Sequence, residues 1–158
     1  MVFSGEEIVA ELTSLGITHA IWVPDAALGT WESALVASPN VRLIRICREG
    51  EAWPLAAGLI FGGKTPVVIM QTTGLFESGD ALRNILFDLD VPVISIIGAR
   101  NWLNAGSTDT ARRFAEPILE AWGFEYQLVA AKSDKPKFSN FVRSCLETGQ
   151  PGAVLLAE

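Results

Sequence analysis

Short apolar runs alternate along this chain with stretches whose apolar residues recur at helical spacing, and strand and helix patterns trade places about six times. Ser4-Gly5-Glu6-Glu7 has the form of a capping box, followed by Ile8, Val9, Leu12 and Leu15 on one face and Gly16 as a stop. Residues 17–23 (ITHAIWV) read as a first strand ended by Pro24-Asp25, and 26–37 as a helix weakened by Gly29 and Thr30. The run 41–47 (VRLIRIC) predicts a buried parallel strand, 52–61 a helix of small apolar residues, and 66–71 a β-branched strand opened by proline. Residues 72–78 (TTGLFES) predict a polar loop and 79–88 a helix with Leu82, Ile85, Leu86 and Leu89 at helical spacing. Strand 91–97, loop 98–108, a helix from Asp109 to Trp122 kinked or divided at Pro117, strand 125–130, helix 135–148 and strand 152–157 complete the chain. This alternation predicts an α/β fold: a three-layer, doubly wound, mostly parallel six-stranded sheet with helices on both faces.

Strand ends are where chemistry is expected in such a sheet, because ligands bind beyond the carboxyl edge. The polar residues there are Pro24 and Asp25, then Arg48 and Glu49, then Gln71, Thr72 and Thr73, then Arg100, Asn101 and Trp102. Glu49 is the acid of interest, set between a strand end and the first turn of a helix. His19, the only histidine, falls at the opposite strand end, which argues against a Ser/His/Asp or Cys/His system. Residues 58–65 (GLIFGGKT) match the P-loop pattern letter for letter. A P-loop needs a strand before it and a helix after it, and here the order is reversed, so the segment reads as a helix-to-strand turn.

Composition narrows the picture. The chain has 158 residues, 49% hydrophobic and 19% charged, which predicts one globular domain spanning 1–158. Net charge is −6 with no basic run, a poor match to nucleic acid or an anionic membrane. The start MVFSGEEIVAEL lacks a signal-peptide profile, and Cys47 and Cys145 lack metal-ligand spacing. Together these predict a cytoplasmic protein with two buried free thiols.

The motifs VPD at 23–25, REGEA at 48–52, GGKTPVVIMQTTGL at 62–75 and IIGAR at 96–100 resemble thiamine-diphosphate enzymes. The resemblance is to their pyrimidine-binding domain, as in the sulfopyruvate decarboxylase α subunit and the N-terminal part of phosphonopyruvate decarboxylase, and it covers nearly the whole chain. It implies that Glu49, nine positions before Gly58, is the cofactor-activating glutamate; Glu51 is the rival, at a spacing of seven. In that family the glutamate hydrogen-bonds the aminopyrimidine ring nitrogen and favours the imino tautomer, which takes the thiazolium proton; burial that raises the carboxyl pKa suits this role. Pro24 and Thr73 match positions contacting the aminopyrimidine, with Gln71 and Thr72 along the same wall. Asp25, Phe76 and Arg100 are candidate substrate residues.

The family's Gly-Asp-Gly motif with a following Asn-Asn, which holds Mg²⁺ and the diphosphate, has no counterpart here. The resemblance therefore implies a separate β subunit carrying that domain, and a hetero-oligomer with two or more copies of each chain. The loops depart from the decarboxylases: Ala26 follows VPD, Phe76-Glu77 follow Gln-Thr-Thr-Gly-Leu, and Asn101 follows Gly-Ala-Arg. These changes leave the activating acid and alter the loops that hold substrate. The implied activity is decarboxylation of a 2-oxo acid, with a carboligase subunit or a non-catalytic scaffold as alternatives.

Overall fold

A computed structural model describes residues 1–158. The strands are β1 (His19–Trp22), β2 (Arg42–Arg45), β3 (Pro66–Gln71), β4 (Ile94–Ala99), β5 (Tyr126–Val129) and β6 (Gly152–Ala157). The helices are α1 (Gly5–Ser14), α2 (Glu32–Ala37), α3 (Ala52–Phe61), α4 (Thr72–Arg83), α5 (Thr110–Ala121) and α6 (Lys135–Thr148). All six strands are parallel, in the order β2-β1-β3-β4-β6-β5.

Alternate residues of the central strands feed two cores. Ala20 and Trp22, Val67 and Ile69, Ile94 and Ile96, Val154 and Leu156 pack with Ile8, Leu12, Leu35, Phe138 and Val142 from α1, α2 and α6. Ile21, Val68 and Met70, Ile97 and Ala99, Ala153 and Leu155 pack with Trp53, Leu75, Leu82 and Leu119 from α3, α4 and α5. Three helices therefore cover each face, and β3, β4 and β6, buried on both sides, are the continuous apolar runs that a parallel sheet requires. The capping box at Ser4 is complete: its hydroxyl accepts from Glu7 N, and Glu7 returns a carboxylate to Ser4 N. Trp31, fully buried, donates its indole N–H to the Phe3 carbonyl at 3.1 Å.

Several expectations need correction. Residues 72–78 are helical, not a loop: α4 begins at Thr72, whose hydroxyl donates to the Gly98 carbonyl at 2.8 Å, and Leu75 is buried. Thr and Gly are weak helix formers, and tertiary contacts override them here. The break falls instead at Gly79 (φ 22°, ψ −100°), and the helix ends through a π turn at Asn84–Asp88. β2 is an edge strand with its residues half-buried or exposed, not a buried one, because only β1 flanks it. Cys47, which follows it, is accordingly exposed, whereas Cys145 is buried. The predicted helix 26–37 is a 3-10 turn (Leu28–Trp31) leading into the short α2. Strand 91–97 is shifted to Ile94–Ala99. Pro117 does not divide α5, which runs unbroken through it; the residue is exposed, and one missing backbone donor is tolerated. The P-loop look-alike is the turn between α3 and β3, with Gly63 in the left-handed region (φ 72°) and Lys64 exposed.

Candidate functional site

The chain leaves β1 toward one face of the sheet through α2 and leaves β2 and β3 toward the other through α3 and α4. The switch point is thus between β1 and β3, and the carboxyl ends of these strands are where an open α/β sheet takes its ligands. Pro24 is exposed there and Asp25 half-buried. Asp25 Oδ1 accepts from Ala27 N and Leu28 N, both at 2.8 Å, and its Oδ2 is buried without a partner.

The turn Arg48-Glu49-Gly50-Glu51 brings three carboxylates together, and they are used differently. Glu51 folds back onto its own turn, accepting from Cys47 N (3.3 Å) and Arg48 N (3.4 Å). Glu77 reaches over from α4 and accepts from Gly50 N at 2.7 Å and from Arg48 Nε at 3.0 Å. These bonds hold the Glu77 carboxyl below the ordinary range, the Gly50 amide contributing most and the Arg48 guanidinium next. Glu49 is half-buried and lies over Gly74: a Cβ on Gly74 would stand 2.4 Å from Glu49 Cγ and 2.9 Å from its Oε1. Of the three, Glu49 alone keeps its carboxyl clear of turn-capping bonds. Glu51 therefore caps its own turn, and Glu49 does not.

A hydrogen-bonded row runs along the same edge. Gln71 Nε2 donates to Glu158 Oε1 at 2.8 Å, and Gln71 Oε1 accepts from Arg100 Nη1 at 3.3 Å. Arg100 Nε pairs with Asp109 Oδ2 at 2.8 Å, an oxygen that also accepts from Asn101 Nδ2 at 2.9 Å. Asp109 Oδ1 caps α5 through Ala111 N. Glu158 Oε1 approaches Gly98 so closely that a Cβ there would be 2.9 Å away, and Glu158 Oε2 is buried and unpartnered. Burial pushes the Glu158 carboxyl above its usual range and nearby Asp25 adds to this, against the Gln71 hydrogen bond and Arg100.

The other sequence candidates differ in their settings. Thr72 is fully buried, its hydroxyl given to Gly98 O and receiving the Arg100 amide at 3.4 Å, so it ties α4 to β4. Thr73 is exposed at the start of α4. Phe76 lines an open apolar hollow of about 380 Å³ with Phe114, Pro117 and Ile118. A groove of about 740 Å³ between α1 and α2 contains none of these residues; the polar groups at the strand ends mark the carboxyl edge as the candidate site.

Glu77, Asp109 and Glu158 were missed as site residues. Glu77 fell in a segment read as a loop, although its spacing of three from Gly74 is the helical one. Asp109 was legible only as a cap. Glu158 follows the last strand, at the same edge as the other loops, and that position was the available signal.

Fold and site together define a doubly wound α/β domain that offers a carboxylate and polar loops at a sheet switch point. Its sequence relatives are more specific. Phosphonopyruvate decarboxylase of Streptomyces viridochromogenes is 28% identical over 134 residues, covering 82% of this chain and 33% of that protein. Sulfopyruvate decarboxylase subunit alpha of Methanothermobacter thermautotrophicus is 31% identical over 99 residues, covering 63% of this chain and 60% of that protein. The subunit alpha from Methanococcus maripaludis is 26% identical over 97 residues, covering 61% and 58%. No protein-family model matches the chain. The chain is thus a relative, at modest identity over much of its length, of sulfopyruvate decarboxylase alpha subunits and phosphonopyruvate decarboxylases. It spans a third of the first of these proteins and three-fifths of the second.

Proposed function

We propose that this chain is the pyrimidine-binding α subunit of a two-component, thiamine-diphosphate-dependent 2-oxo acid decarboxylase. The observation that carries the reading is Glu49: a carboxyl held over Gly74 at the switch point and clear of the turn's own hydrogen bonds. The names of the relatives supply the reaction class.

The residues fit an aminopyrimidine. The bare Cα of Gly74 is the floor on which Glu49 rests, and Pro24 and Thr73, both exposed at strand ends of the same sheet edge, would border the ring on this reading. Glu49 would hold the ring nitrogen and keep a proton there. Closure by a partner would exclude water from this half-buried acid and strengthen that hydrogen bond. When bound, thiamine diphosphate supplies a nucleophilic thiazolium carbon that adds to the substrate carbonyl and takes up the electron pair left by CO₂. Arg100, oriented by Asp109 and Gln71, would offer guanidinium N–H groups to a substrate anion, with Asp25 and Phe76 as the further substrate residues of this reading. The diphosphate and its Mg²⁺ belong, on this reading, to a separate β subunit, in a cytoplasmic hetero-oligomer built on this single domain.

The test is Glu49→Gln, assayed with the partner subunit against a panel of 2-oxo acids. Turnover should fall at least about 100-fold, the range over which a positioned acid–base group acts, with melting temperature unchanged. A variant complex with wild-type turnover would remove Glu49 from the chemistry.

A further inference from the structure

We propose that Glu77 is the positioning residue for Glu49, a carboxylate on α4 that ties down the residues on both sides of the acid. This rests on the role assigned above to Glu49 and extends it to a residue without a place in that scheme.

Gly74 and Glu77 are three residues apart on α4 and so share one face of the helix. That face meets the turn after β2 at two points. Gly74 supplies the floor beneath the Glu49 side chain, with room for no further atom. Glu77 supplies the post: one oxygen accepts from the backbone of Gly50, and the other binds the Arg48 guanidinium through Nε and Nη2. Residues 48 and 50 are therefore bound to one carboxylate, and the peptide unit that follows Glu49 is held through its own N–H. Glu51 fastens the front of the same turn through the Cys47 and Arg48 amides. Two carboxylates thus secure the backbone and leave the third over Gly74, clear of the turn's own hydrogen bonds.

A solvent-exposed ion pair alone holds little, and Arg48 is largely exposed. The bond to Gly50 N is different in kind. It satisfies a backbone donor in a tight turn, it joins two elements 27 residues apart in sequence, and it sits one residue from the acid. A shift of about an ångström in a catalytic group is enough to cost orders of magnitude in rate. Glu77 therefore acts on where Glu49 stands chiefly through Gly50, with Arg48 a minor support.

Two measurements test this, one on the chain by itself and one on the cofactor. In amide hydrogen exchange, Gly50 should be protected in the wild type and exchange about 10-fold faster in Glu77→Ala, with the central strands unaffected. In the complex with the partner subunit, exchange of the thiazolium C2 proton of thiamine diphosphate reports Glu49 without any substrate. Glu77→Ala should slow it about 10-fold while cofactor affinity stays within about threefold. Glu77→Gln keeps a neutral acceptor for Gly50 N at nearly the same size, and should slow exchange by about threefold; it carries the test if the alanine variant is unstable. Wild-type C2 exchange in the Glu77 variants would overturn the proposal. Wild-type C2 exchange in Glu49→Gln would instead overturn the role of Glu49, and Gly50 protection would still decide whether Glu77 holds the turn.

Discussion

Gly74 lies directly beneath Glu49, so close that a methyl group on its Cα would overlap the glutamate side chain, with the added carbon 2.4 Å from Glu49 Cγ. The contact joins α4 to the turn that opens α3, and it explains why a glycine stands in the first turn of a helix. Gly74→Ala must push Glu49 off its floor. Overpacking of this kind costs about 1–3 kcal/mol, and Glu49→Ala in the same chain should recover most of it by removing the opposing atoms. Chemical denaturation of the two single variants and the double variant measures the coupling. Additive effects would mean that the two residues do not press on each other.

The two thiols should differ sharply in reactivity. Cys47 is exposed after an edge strand, whereas Cys145 is buried in α6 and its thiol pKa is raised, chiefly by burial, with Glu125 adding to it. A thiol reagent applied to the native protein should therefore label one cysteine, and Cys47→Ser should abolish the fast reaction. Rapid labelling that persists in Cys47→Ser would place Cys145 in contact with solvent.

The class of the fold was legible because β3, β4 and β6 are apolar on both faces and are separated by stretches with helical periodicity. Edge strand β2 was legible as a strand but not as an edge, since VRLIRIC is apolar enough for either place and only the strand order decides. The start of α4 was hidden by its composition: Thr-Thr-Gly looks like a loop until Gly98 and Glu49 are present to use those residues. At the candidate site, Glu49 is nominated by its position at a strand end together with the family resemblance. Its preference over Glu51 rested on spacing, and the physical distinction came from which backbone amides each carboxylate accepts. Glu158 and Glu77 work through contacts 87 and 27 residues away in sequence, which no local pattern records.

Glu158 makes stability depend on pH in a direction opposite to most carboxylates. Its folded-state pKa is raised, so the proton is held more tightly in the folded chain than in the unfolded one. The favourable contribution is complete below the unfolded value, about 4.3, and is lost as pH rises through the folded value. Glu158→Gln keeps an acceptor for Gln71 and removes the charge, so it should raise the melting temperature at pH 7 relative to wild type. That gain should shrink as the pH is lowered below about 4, where wild-type Glu158 is protonated in both states. Thermal melts of the two proteins across that range check the sign, and a gain independent of pH would assign the effect to something other than ionisation.

Asp109 joins two tasks that a single substitution can separate. Its Oδ1 caps α5 through Ala111 N, and its Oδ2 holds Arg100 Nε and Asn101 Nδ2. The Ala111 hydrogen bond is the main cause of its lowered pKa, with Asn101 and Arg100 assisting. Its stabilising contribution is therefore present above the unfolded value and lost as pH falls through the lower folded one. Asp109→Ala removes both tasks and should lower the melting temperature by roughly a few degrees at pH 7. Asp109→Ser retains a hydroxyl acceptor for the cap, so it should melt closer to wild type while releasing Arg100. If Arg100 binds a substrate anion, the serine variant should raise KM about 10-fold with kcat little changed, because loss of an oriented charge-assisted hydrogen bond weakens binding more than chemistry. Steady-state kinetics of the reconstituted complex, set beside melts of both variants, separates the two tasks. A serine variant with wild-type KM would confine Asp109 to capping α5.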